Sequence, residues 1–121
     1  MEKREKEERR KKRHLRVRKK LFGTEERPRI CFYKSQKHIY GILVDDKEGK
    51  VIITISSNSP YFKKDNLKGY NIEGAKKVGE ILGEKLEEMK VKEIIFDRSG
   101  YPYHGRVKFL AEEIRKKGIN F

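Results

Sequence analysis

The chain has 121 residues, with 32 Lys and Arg against 19 Asp and Glu, for a formal net charge of +13. That length suits one small domain with a single core. No apolar run approaches the ~20 residues of a membrane span, and no apolar stretch near the N-terminus resembles a signal-peptide core, so a cytoplasmic protein is expected. The single cysteine, Cys31, permits neither an internal disulfide nor a cysteine-based zinc site. An excess of this sign and size points to a polyanionic partner, with nucleic acid ahead of an anionic membrane.

The charge is uneven. Through Lys20 there are 12 cations against four Glu, a net of +8, and the other 101 residues carry +5. Residues 1–29 hold five apolar side chains, Met1, Leu15, Val17, Leu21 and Phe22. Such a segment buries too little surface to offset its ordering entropy. The reading is a basic arm and joint over residues 1–29, followed by a globular domain over 30–121. Lys, Arg and Glu favour helix in the arm, which is expected to be marginal alone and ordered by whatever it binds. A merely solvated charge run is the alternative. Against it, nine of the twelve residues from Arg9 to Lys20 are Lys or Arg and none is acidic, so self-repulsion calls for a counter-charge.

Within the domain, Ile30 to Tyr33, Ile39 to Val44 and Val51 to Ile55 read as strands. Ser35-Gln36-Lys37 and Asp45-Asp46-Lys47-Glu48-Gly49 are the hairpin turns between them. A long loop, Ser56 to Tyr70, leads to Asn71 as a helix N-cap. Ile72, Ala75, Val78, Leu82, Leu86 and Met89 then form one apolar helix face, and Gly74, Gly79 and Gly83 imply close packing on the sheet. Ile94-Ile95-Phe96 reads as a strand buried on both faces. Val107, Leu110, Ala111 and Ile114 mark a last helix, with Gly118 just past its end, and Ile119 and Phe121 could add a strand. The fold class is α/β, a mixed sheet of order β-β-β-α-β-α(-β) with helices packed on one face, preceded by the basic arm. The other sheet face is expected to be uncovered. Arg29, Cys31, Tyr33 and Ser35 share one face of the first strand, and His38 and Tyr40 one face of the second. Such a polar, aromatic face suits RNA.

The densest cluster of chemistry-bearing residues is Asp97-Arg98-Ser99-Gly100-Tyr101-Pro102-Tyr103-His104-Gly105-Arg106. Gly105 at a helix start leaves N–H groups for a phosphate. Arg106 can pair one bidentately, and Tyr101 and Tyr103 can stack on bases. As a purely structural turn, the same run would have Asp97 capping and the tyrosines half-buried. Cys31 reads as an inert core thiol, and His104 as a hydrogen-bonding or phosphate-contacting group. The element order is similar to that of ribonuclease-H-like nucleases, which gather carboxylates around two metals. Here Asp97 is the only acid well placed at a strand end. A metal nuclease and a non-specific basic nucleic-acid or membrane-surface binder remain as rival readings.

Several stretches resemble one family in matching order. They are Arg13-His14-Leu15-Arg16-Val17-Arg18-Lys19-Lys20, Gly23 to Arg29, Ser35-Gln36-Lys37-His38-Ile39-Tyr40, Gly74 to Gly79, and Phe96 to Lys108, of which Tyr101-Pro102-Tyr103-His104-Gly105-Arg106-Val107-Lys108 is the most specific. The sequence resembles the bacterial form of large-subunit ribosomal protein L-eighteen from about Arg9 to Phe121. It departs at Gln36, where that family commonly has Asn, and at Ser99, where it has Gly. The resemblance implies a non-enzymatic protein with no cofactor, no metal, no membrane and no small-molecule substrate. It implies 5S ribosomal RNA, large-subunit ribosomal RNA and neighbouring large-subunit proteins as partners. By matching position it implies RNA contacts from Arg9, Arg10, Lys11, Lys12, Arg13, Arg16, Arg18, Lys19 and Lys20 in the arm, and from Thr24, Arg27 and Arg29 at the joint. Ser35, Lys37, His38 and Tyr40 follow at the hairpin, and Tyr101, Tyr103, His104, Gly105 and Arg106 in the second cluster.

Overall fold

A computed structural model describes residues 2–18, 21–35, 38–57 and 72–121. In chain order the elements are α1 (Lys3–Arg18), β1 (Arg29–Lys34), β2 (Ile39–Asp45), β3 (Lys50–Ser56), α2 (Ile72–Glu88), β4 (Ile95–Asp97) and α3 (Arg106–Lys116). Asn71 and most of the expected loop lie outside the described residues. The strands form one mixed sheet in the order β3-β2-β1-β4, with β1 antiparallel to β2 and parallel to β4.

Alternation builds the meander. Ile30 and Phe32 on β1 and Ile39 and Leu43 on β2 are fully or almost fully buried against α2 and α3, with Val78, Leu82, Leu86, Leu110 and Ile114 across from them. Arg29, Cys31 and Tyr33 fall on the opposite face, beside Val44, Ile42 and Tyr40 in register. The β2–β3 hairpin turns on the Asp45 carboxylate, whose Oδ1 accepts the N–H groups of Lys47 and Glu48, and on Gly49 at φ 65°. Gly118, at φ 82°, follows α3 as the sequence leads one to expect, its N–H bonded to Arg115 O.

Four expectations need correction. β4 is an edge strand beside β1, not one buried on both faces; its apolar run arises because Ile94 enters the core and Phe96 packs on Phe121. Met89 lies beyond α2 and is exposed, as is Ile72 at the other end, while Ile81 completes the buried face. Gly79 and Gly83 of α2 serve helix–helix contact, not the sheet. A Cβ on Gly79 would collide with the Leu110 carbonyl oxygen, and one on Gly83 would stand 2.6 Å from Lys117 Cγ. The sheet-side glycine is Gly41, where a Cβ would strike Leu82. Finally, Ile119 is buried but forms no strand, and the tail makes only a Glu93–Asn120 bridge.

One ion cluster ties the far corner of the sheet together. Arg29 Nε donates to Asp46 Oδ2 at 2.8 Å and its Nη2 to Asp46 Oδ1 at 3.0 Å, while Nη1 donates to Asp97 Oδ2 at 2.7 Å. The first strand, the β2–β3 turn and the end of β4 therefore meet at one guanidinium. The hydrogen bonds from Arg29 are the main reason that the Asp46 carboxyl is held down to about 2, with the Gly23 N–H helping against burial. Burial pushes Asp97 up, but hydrogen bonds from His14, Ser99 N and Arg29 together pull it below its ordinary value. Cys31 belongs to this corner and not to the core, with Sγ 3.7 Å from Asp97 Oδ2; burial pushes its thiol up to about 12 and keeps it protonated.

Two outcomes follow from this packing. Gly79→Ala lowers stability by about 1–3 kcal/mol in urea unfolding, because overpacking outweighs the ~1 kcal/mol that Ala gains in helix propensity; a rise in stability would contradict the close α2–α3 contact. The second outcome concerns acid. A carboxyl depressed from 3.8 to about 2 adds stability that is complete above pH ~4 and lost as pH falls through 2. Unfolding free energy is thus expected to hold from neutrality to pH ~5 and decline below ~4. Asp46→Asn is less stable at neutral pH and loses less on acidification, and an unchanged acid decline would refute the pairing.

Candidate nucleic-acid interface

The arm is a helix anchored at the β4 side of the sheet face that was expected to be uncovered, reaching Asp97 and Tyr33 there, while Tyr33 itself stays 41% exposed. Residues 10, 14 and 18 are four apart and line one side of α1. His14 Nε2 lies 2.9 Å from Asp97 Oδ2, and Arg18 Nη2 donates to Asp46 Oδ1 at 2.7 Å. Arg10, though charged, is 7% exposed. Its Nη1 donates to Ser99 O, its Nε and Nη2 hold the Glu7 carboxylate one turn back, and its guanidinium stands 4.5 Å over the Tyr101 ring. Arg13 Nε donates to Gly100 O at 3.1 Å. The turn backbone bends to admit the helix: Ser99 and Gly100 take φ 56° and 82°, and a Cβ on Gly100 would collide with the Arg10 carbonyl oxygen. The arm was expected to be ordered by whatever it binds, and here it contacts the domain itself. Its anchors are polar and charged side chains, which a count of apolar side chains cannot register.

Tyr101 is where three predicted patches meet. Its ring packs edge-on to Phe32 at 5.3 Å, under Arg10 from α1. Its hydroxyl lies 3.4 Å from Lys34 O, at the start of the Ser35–His38 hairpin. Burial, above all, raises its hydroxyl pKa. The buried ring supports the arm and does not present a face for stacking. Tyr103 and His104, two and three residues on, are exposed. Gly105 stands at φ 59° before α3, whose N-terminus has no side-chain cap. Lys34, Arg106 and His104 line a small cleft over this turn.

The remaining predicted residues divide by role. Arg9, Lys11, Lys12 and Arg16 are exposed on α1, and Lys11 lies close enough to Glu7 to help Arg10 hold that carboxyl below its ordinary value. Arg10, Arg13 and Arg18 are engaged with the domain, and Arg29 is buried between two carboxylates. Thr24 and Arg27 close a turn, Thr24 Oγ1 accepting the Arg27 N–H at 3.2 Å. Ser35 Oγ accepts the His38 N–H, and His38 Nδ1 sits 3.0 Å from Ser57 Oγ. Tyr40 pairs with Tyr33 across β2 and β1, ring centroids 5.9 Å apart. Lys19, Lys20 and Lys37 lie outside the described residues. Three residues missed from the sequence matter: His14 and Asp46, which anchor the arm, and Asp97, which was weighed only as a cap or metal ligand. Asp46 looked like turn chemistry, and no local pattern links it to Arg29, 17 residues away. Among the described residues no group of three or more His, Cys, Asp or Glu comes together as a metal site would require.

Comparison with known proteins converges on one family. The family model described as ribosomal L18 of archaea, bacteria, mitochondria and chloroplasts matches residues 4–121, so the match begins ahead of Arg9, where the resemblance was read to start. A Thermotoga petrophila protein named large ribosomal subunit protein uL18 is 46% identical over 121 residues, covering 100% of this chain and 99% of its own. Proteins of the same name from Heliobacterium modesticaldum and Clostridium botulinum (strain Loch Maree / Type A3) are 48% and 52% identical over 112 residues, each covering 93% of this chain and 92% of its own. The chain belongs to the ribosomal L18 family and is a large-subunit ribosomal protein, not an enzyme.

Proposed function

We propose that this protein binds 5S ribosomal RNA and helps attach it to the large-subunit RNA in the central protuberance, beside neighbouring large-subunit proteins. Residues 1–29 act as the RNA-binding arm and joint, and residues 30–121 as the domain that carries them. The observation that carries the reading is the seating of α1 on the Ser99–Tyr101 turn by Arg10 and Arg13. That seating brings the basic helix against the turn that leads on to the exposed Tyr103 and His104 and the start of α3.

Each part has a physical task. Arm cations neutralise phosphates and release counterions, giving affinity that falls with salt. The turn and hairpin supply hydroxyl, imidazole and backbone N–H groups to sugars, phosphates and unstacked bases. Because α1 is already docked, less ordering entropy opposes binding than a free arm would lose.

Binding of 5S RNA in competition with transfer RNA and duplex DNA tests this. The full chain prefers 5S RNA. Deleting residues 1–20 weakens binding and flattens the slope of log affinity against log salt by several units. Tyr103→Ala weakens binding at least fivefold, the scale of one stacked base, with helicity unchanged. Equal affinity for all three nucleic acids would mark a non-specific binder and overturn the proposal.

A further inference from the structure

Between α1 and the end of β4 lies a cleft of about 470 Å³, within the ~300–1,000 Å³ typical of small-ligand sites. Val17, Leu21 and Phe96 make it apolar, and Arg13, Arg16 and Arg98 rim it. Val17 is 45% exposed, an unusual position for a β-branched side chain on so polar a helix. Arg16 and Arg98 have no partner among the described residues, and Arg13 gives one N–H to Gly100 O. The one acid in the lining, Asp97, is 1% exposed and already takes hydrogen bonds from Arg29, Ser99 N and His14. No free carboxylate there repels an anion.

We infer that this cleft receives a single unstacked nucleotide of the bound RNA, its base against Val17, Leu21 and Phe96 and its phosphates on Arg13, Arg16 and Arg98. This rests on the RNA-binding reading above and adds a base pocket to it. The chemistry matches a flat apolar base beside a phosphate, and Arg both pairs phosphates and stacks on bases. An acidic peptide matches the charges but leaves the continuing row of cations on α1 without phosphates to meet. The pocket exists only while the arm is docked, so arm seating and base capture are one event.

The test uses the full chain and 5S RNA. Val17→Trp fills the cleft without changing charge, and Arg98→Gln removes an exposed cation from its rim. Val17→Trp is expected to weaken binding at least fivefold with the salt slope unchanged, the mark of a lost base contact. Arg98→Gln weakens binding and lowers the slope by about one. Lys12→Gln, on the exposed side of α1, changes the slope alike for any RNA. With 4-thiouridine scattered through the RNA, ultraviolet crosslinks are expected on residues 96–100, and Val17→Trp abolishes them. Val17→Trp and Arg98→Gln chains that bind like wild type, or crosslinks confined to other segments, overturn the pocket while leaving 5S recognition intact. A polyglutamate peptide that displaces RNA from wild type but not from Val17→Trp would assign the cleft to protein and also overturn it. Loss of 5S preference in the wild type itself would instead indict the broader reading.

Discussion

A guanidinium buried between two carboxylates is the constraint on which the rest of the molecule depends. Arg29 joins Asp46 and Asp97, and so joins the start of β1, the β2–β3 turn and the end of β4. Three buried ions with one cation leave an excess negative charge, and an unbalanced buried charge is costly. The arm supplies the balancing cation, Arg18 on Asp46, and His14 adds a hydrogen bond with Asp97. The docking of α1 is thus a requirement of the domain's own electrostatics as much as a property of the arm.

This arrangement divides the arm's charge into two rows. One row, Arg10, His14 and Arg18, faces inward and is matched by Tyr101, Asp97 and Asp46. The other cations, among them Arg9, Lys11, Lys12 and Arg16, are exposed. A row of like charges on a helix repels itself, and the inward row offsets that by holding the helix to fixed carboxylates. The exposed cations are therefore carried on a helix tied to the domain. Such anchoring favours recognition of one RNA shape, since less conformational freedom remains to be lost on binding.

The strands of the meander and both domain helices were legible because alternation and 3.6-residue spacing report burial on one face. Gly118 was legible because a helix end in positive φ has few residue options. What escaped was long-range and polar. Arg29 reads as one more basic residue until Asp97, 68 positions later, is brought beside it. The apolar run at β4 suggested a central strand because Phe96 and Phe121 cover an edge with aromatic surface. The glycines of α2 signalled a close approach correctly but not which partner approached. Composition marked out the basic arm, and the motif marked out the turn after β4. That Arg10 of the arm stands over the buried Tyr101 ring of the turn required the packing.

The central claim is that α1 is held on the domain before any RNA is present. Hydrogen exchange of the free full-length protein tests it directly. Amides within residues 3–18 are predicted to be protected, and His14→Ala combined with Arg10→Ala should release them while β1, β2 and α2 stay protected. Exchange of those amides at unstructured rates in the wild-type protein would contradict the account.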